Sequence, residues 1–142
     1  MVHVPLPASI GVTHLVFAVP HSCSDVPSAS DIEPSLADLV IAFVEQRYRE
    51  PISLRDVARA LGYSPCHLTY AFRRATGMPV TAWIIRRRIH AAMDLLRDTD
   101  ADVATACASV GFNDVYYFKR QFVRHAGMTP ARFRSVSTRS FR

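Results

Sequence analysis

The chain has 142 residues, enough for one domain or for one domain with an arm. Apolar residues make up 49% and charged residues 20%, a balance that supports a packed core and not wholesale disorder. The net charge is +5, and the three cysteines (Cys23, Cys66, Cys107) are odd in number with no CxxC spacing, which argues against a disulfide framework or a zinc ribbon.

Residues 1–33 contain several Ser, no Lys or Arg and no clear period; with Pro34 they hold five of the nine prolines. They read as an arm or linker, or as the remnant of a sensor domain. Their longest uncharged apolar run, Ile10 to Pro20, covers 11 residues and includes His14. A membrane span needs about 20 apolar residues, and the run has no basic leader, so neither a span nor a secretory signal is expected. A reducing cytosol is the simplest compartment.

From Pro34 onward the pattern is helical. Leu36, Leu39, Val40, Phe43 and Val44 mark a first helix over about 34–49, stopped by Pro51. Ser53-Leu54-Arg55-Asp56 has the form of a capping box and opens a short helix to about Leu61. Gly62 supplies a turn, and Ser64-Pro65 caps a third helix that stops at Gly77. A long helix follows Pro79, about Val80 to Arg97, with a buried stripe of Ile85, Ile89, Ala92 and Leu96. Asp102 caps a fifth helix closed by Gly111, Asn113 or Asp114 starts a sixth that ends at Gly127, and Thr129-Pro130 opens a short seventh. No strand pattern appears. The fold class expected is all-α, with about seven helices in two helix-turn-helix subdomains joined by a long linker helix.

That pairing rests on an internal repeat. Ser53, Val57, Ala58, Gly62 and Tyr63 recur 49 positions later as Asp102, Ala106, Cys107, Gly111 and Phe112. Leu68, Phe72, Gly77, Met78 and Trp83 recur 50 positions later as Phe118, Phe122, Gly127, Met128 and Phe133, so one residue is inserted near Asn113. Each copy has a cap, a short helix with a small residue where two helices cross, a Gly turn, and a second helix free to project. A linker of about 18 residues would be about 27 Å long. Two reading helices so spaced can enter successive major-groove segments, about 34 Å apart on one face of the duplex.

Charge fits such a partner. All 17 basic residues lie in 34–142, against nine acids there, and sixteen of them are Arg. Arg presents a planar fork suited to phosphate and base edges, and a basic Arg-rich domain points to nucleic acid or another polyanion.

At residues 111–134, GFNDVYYFKRQFVRHAGMTPARFR, the sequence resembles the second-motif signature of the AraC/XylS family of bacterial transcription regulators. The matching positions are Gly111, Phe112, Tyr117, Phe118, Phe122, Gly127, Pro130, Phe133 and Arg134. Leu54, Ala58, Gly62, Ser64, Leu68, Phe72 and Gly77 match in the first motif, and Arg88-Ile89, Ala92 and Leu95-Leu96 in the linker helix. The resemblance covers about 34–136. It implies a seven-helix DNA-binding domain over that stretch, a C-terminal tail at 137–142, double-stranded promoter DNA as partner, and an effect on RNA polymerase. The chain departs from the family pattern at Ala106 and Cys107, where a large aliphatic residue and Ala are usual. It also departs in its first reading helix, which offers Pro65, Cys66, His67, Thr69 and Tyr70 with no Arg on its leading turns. Residues 1–33 are too few for the sensor domain many family members carry, so no small-molecule effector site is expected within this chain.

For base reading, Cys66, Thr69 and Tyr70 share one face of the first reading helix. Tyr116, Lys119 and Arg120 share the matching face of the second. Arg120 is the foremost candidate, because Arg pairs bidentately with guanine O6 and N7. Backbone candidates are Arg73, Arg74, Lys119 and Arg124, the caps Ser64 and Asn113, and Arg86 and Arg87 on the linker. For any one of these Arg a solvated surface charge is the alternative. Tyr117 reads as core, and Arg88 as a structural group with Asp94 or Asp56 as partner. Cys107 reads as a packed small residue and Cys66 as an exposed thiol on the DNA face. His21 and Cys23 are two metal-type ligands without a matching pair, so no metal and no cofactor is expected. No nucleophile–base or paired-carboxylate constellation appears, and the chain is read as a non-enzyme. Two alternatives stay open: a fragment of a longer ligand-sensing regulator, and a basic protein-interaction module that does not read DNA.

Overall fold

Short-range capping sets the helix starts. Ser35 Oγ accepts the Asp38 N–H at 3.2 Å while the Asp38 carboxylate accepts the Ser35 N–H at 3.0 Å. That reciprocal pair opens α1, Leu36–Arg47. Ser53 and Asp56 repeat it at α2, Leu54–Leu61, as the sequence pattern requires. Ser64 and Pro65 open α3, Pro65–Thr76. Then follow α4, Val80–Asp98, α5, Val103–Ser109, α6, Val115–Ala126, and α7, Pro130–Arg139. The computed structural model describes residues 34–139; the arm with His21 and Cys23 lies outside the described residues. Among the described residues there are seven helices and no strand, and no helix is long and apolar enough to cross a membrane.

The buried residues form one connected cluster. Val40, Val44, Val57, Leu68 and Phe72 fill its first half, and Ala106, Val110, Phe112, Phe118 and Phe122 its second. Between them runs α4, packed against α1 and α3 of the first half and against α5, α6 and α7 of the second. Each buried Phe contributes on the order of 1.5–3 kcal/mol, as an upper estimate.

The sequence repeat holds down to single bonds. The Tyr63 N–H donates to the Ala58 carbonyl at 2.9 Å, and the Phe112 N–H to the Cys107 carbonyl at 3.1 Å. The Gly77 and Gly127 N–H groups donate to the carbonyls of Arg73 and Val123, both at 2.8 Å. Trp83 meets Phe72 edge-on at 5.8 Å, and Phe133 meets Phe122 edge-on at 5.5 Å.

Several local expectations need correction. The first helix ends at Arg47, not Arg49, with Tyr48 as its cap. In α4 the buried residue of the pair 84–85 is Ile84, while Ile85 is half-buried. The helix touches both subdomains, so its apolar surface is broader than one stripe. The inserted residue is Asn113, which moves the α6 cap to Asp114: its Oδ1 accepts the N–H groups of Tyr116 at 2.7 Å and Tyr117 at 3.1 Å. Finally, α7 runs to Arg139, into the stretch expected as a tail.

Candidate nucleic-acid interface

Helix α3 is anchored by Leu68 and Phe72, both with no solvent exposure, and α6 by their counterparts Phe118 and Phe122. Burying that side turns the opposite side outward. On α3 the outward residues include Cys66, Tyr70, Arg73 and Arg74, with Thr69 half-buried beside them. On α6 they include Tyr116, Lys119, Arg120, Val123 and Arg124. The offset of 50 pairs these sets residue by residue, so the same face projects twice.

The two faces differ in chemistry. That of α3 borders an open cleft of about 620 Å³ lined by Leu54, Pro65, Cys66, Thr69, Tyr70, Arg73 and Arg74. Tyr70 is 65% exposed, and its hydroxyl accepts from Arg74 Nη1 at 3.3 Å. The Thr69 hydroxyl donates to the Pro65 carbonyl at 2.8 Å, which occupies its proton and leaves its methyl and an acceptor oxygen to offer. On α6, Tyr116 is 82% exposed. The Arg120 guanidinium stands 5.8 Å from the Tyr117 ring centre, a cation–π contact that steadies the side chain while its N–H fork stays exposed. Tyr117 itself is half-buried against the core and packs 6.0 Å from Phe112.

The starts of the reading helices also differ. Ser64, a neutral cap, accepts the His67 N–H at 3.2 Å. The second start carries the carboxylate of Asp114, while Asn113 is exposed and is not the cap. A negative charge there opposes phosphate, so the anion-holding role expected of Asn113 as a cap fits Ser64 alone.

Of the linker arginines, Arg87 is engaged inside the protein. Its Nε donates to Glu45 Oε1 at 2.6 Å, and its guanidinium lies 4.4 Å from the Tyr48 ring centre. That leaves it a poor phosphate candidate. Arg86 is exposed, over the Trp83 ring at 5.7 Å. Arg88 has neither expected carboxylate: Asp94 pairs with Arg97 at 3.2 Å and Asp56 with Ser53. Its Nε donates to the Tyr48 carbonyl at 2.6 Å and its Nη2 to the Glu50 carbonyl at 2.7 Å. Burial pushes its pKa down from the ordinary arginine value, though a guanidinium stays charged at any working pH.

Arg86 and His90 of α4 and Arg124 of α6 are near enough to act electrostatically on His125. Burial first, then the charges of Arg124, His90 and Arg86, hold the His125 imidazole below its ordinary 6.5. That direction favours the neutral imidazole, so the standing charges this surface offers a polyanion are those of Arg86 and Arg124. Sequence reasoning included Arg86 and Arg124 but missed the histidines, which join them only through packing. Cys66 is exposed and Cys107 buried, its thiol 3.7 Å from the Phe112 carbonyl. Burial pushes that thiol up from 9.0, away from reactivity. Among the described residues no three His, Cys, Asp or Glu side chains gather as a metal site.

A helix-turn-helix domain family matches residues 57–135. The bifunctional transcriptional activator/DNA repair enzyme AdaA of Bacillus subtilis (strain 168) is 30% identical over 100 residues, 70% of this chain and 47% of that protein. The HTH-type transcriptional activator AarP of Providencia stuartii is 28% identical over 109 residues, 77% of this chain and 81% of that one. The chain thus spans about half of the first relative and four-fifths of the second. The crystal structure of the DNA-binding domain of AdpA, a global transcriptional factor, in complex with a target DNA is similar at a TM-score of 0.66 and 27% identity, covering 73% of this chain and 92% of that one.

Proposed function

The chain belongs to the AraC/XylS family of helix-turn-helix transcription regulators, and on that premise we propose that it reads promoter DNA with α3 and α6 in successive major-groove segments. The observation that carries the reading is the duplicated outward face, set 50 residues apart on two helices that α4 joins. Helix α4 has 19 residues, about 28 Å at 1.5 Å per residue, close to one turn of duplex. The likeness to a domain held with its target DNA supports the same reading.

The roles divide by chemistry. Arg120 offers its fork to guanine O6 and N7, and Lys119 and Tyr116 flank it. Thr69 offers its methyl to thymine, with Cys66 and Tyr70 beside it. Arg73, Arg74 and Arg124 take phosphate, and Ser64 presents the N-terminal N–H groups of α3. Arg86, with His90 and His125, meets the backbone between the two grooves. The activity proposed is binding without a catalytic step, in the bacterial cytoplasm at the nucleoid, with RNA polymerase as the partner that converts binding into regulation. Arg120→Ala tests the assignment by mobility shift on a recovered site. A base reader loses about 1–3 kcal/mol and relaxes preference at one position. An equal loss on every sequence would make Arg120 a phosphate contact.

A further inference from the structure

The seam between the two subdomains has more built into it than a linker helix requires. The last turn of α1 ends at Tyr48 with its carbonyls pointing out of the helix, groups that must find donors when buried. From α4, Arg88 forks to the Tyr48 carbonyl at 2.6 Å and to that of Glu50, just past the helix, at 2.7 Å. The same guanidinium lies 5.7 Å from the ring centre of Phe112, which belongs to the turn of the second motif. That turn seats directly on the end of α1: a Cβ on Gly111 would fall 2.7 Å from the Arg49 carbonyl and 2.9 Å from that of Tyr48. Arg87 closes the other flank, on the Tyr48 ring and Glu45.

We propose that Arg88, with the Tyr48 carbonyl and Gly111, is a positioning element that locks the first subdomain to the turn of the second, and so fixes the half-site spacing the protein accepts. Without this tie the two subdomains would be joined through α4, and rotation about it would move α6 relative to α3. One base pair of misplaced spacing is about 3.4 Å of rise, and about 35° of rotation at roughly 10–10.5 pairs per turn. A locked pair forfeits every contact to a misplaced half-site, whereas a loose pair adjusts.

The inference rests on the DNA-reading proposal for its consequence but not for its geometry, so the test has two arms. In the free protein, nitroxide labels go on Cys66 and on Tyr116→Cys, both exposed, with Cys23→Ser removing a competing thiol and Cys107 buried. Double electron–electron resonance then reads the spread of α3–α6 distances. The unaltered seam gives one narrow distribution, and Arg88→Ala widens it with helicity retained. An equally narrow distribution in Arg88→Ala overturns the proposal. If Arg88→Ala loses its helical signal, Arg88→Lys carries the same test, because an ammonium lacks the planar fork. In the second arm, both proteins select from a random duplex library. The wild type recovers two half-sites at one spacing, and the Arg88 variant recovers the same half-sites at scattered spacings. A single shared spacing in the variant overturns the proposal. A narrow wild-type distance that Arg88→Ala widens, with no paired motif recovered by the wild type, supports the tie and refutes the DNA reading instead.

Discussion

Replacing Gly111 by Ala adds a steric cost to the backbone cost that Gly77 and Gly127 carry alone. Gly77 and Gly127 sit at φ +78° and +72° with nothing within 4 Å of where an Ala methyl would stand, so Ala there meets only the left-handed backbone penalty. That penalty is about 1–2 kcal/mol, offset by roughly 0.4–1 kcal/mol of unfolded-chain entropy removed. A net loss of about 1 kcal/mol is expected for each. Gly111, at φ +93°, adds approaches of 2.7 and 2.9 Å to two carbonyls. Those are main-chain atoms, and one of them is held by Arg88, so they cannot swing aside. Overpacking of this kind costs about 1–3 kcal/mol more, giving roughly 2–4 kcal/mol in all. For a domain of this size that lowers Tm by roughly 8–32 °C, against about 4–8 °C for the other two. Urea unfolding checks it with two probes: fluorescence of Trp83, the one tryptophan, in the first half, and far-UV circular dichroism over all helices. Gly111→Ala no less stable than Gly77→Ala would refute the seat of the second turn on α1.

Other outcomes follow from the same geometry. Ser53→Ala removes the acceptor of the Asp56 N–H and should cost about 1 kcal/mol in urea unfolding. Arg124→Ala should weaken binding alike on all sequences and lower the salt slope by about 0.9 for each phosphate it no longer neutralises, read from filter binding at several salt concentrations. Stability should fall with acid in two windows. His125, held below 6.5 in the fold, binds protons more readily when unfolded, so stability drops as pH falls from 6.5, and His125→Gln removes that slope. Asp38, Asp56 and Asp102 are held below the ordinary 3.8 by hydrogen bonds within their caps, so their contribution is present above 3.8 and is lost below it. Thermal melts across pH 2–8 check both windows.

What was legible in the sequence was local or repeated. The capping box at Ser53 and Asp56 closes within four residues, and the Gly77 and Gly127 stops need only their own backbone, so each could be read before any packing was known. The double motif was legible because the chain states it twice. The rest depended on distant partners. Arg88 binds carbonyls 38 and 40 residues away, and a carbonyl has no sequence signature, so carboxylates were the natural but mistaken expectation. Arg87 meets Glu45 across 42 residues, and three adjacent arginines give no sign of which one is occupied. The cap of α6 fell on Asp114 because Asn113 is the inserted residue, a one-position ambiguity that two neighbouring cap formers cannot resolve. The outward surfaces of α3 and α6 were legible from their opposition to Leu68, Phe72, Phe118 and Phe122, but not the use already made of the Thr69 hydroxyl.

The central claim is that one chain reads two half-sites. The most direct measurement is to let the purified 142-residue protein retain genomic DNA fragments near physiological salt, and to sequence what it holds. An enriched bipartite motif with halves about one helical turn apart is the expected result. Retention that fades with salt and enriches no sequence would leave only the phosphate attraction and would contradict it.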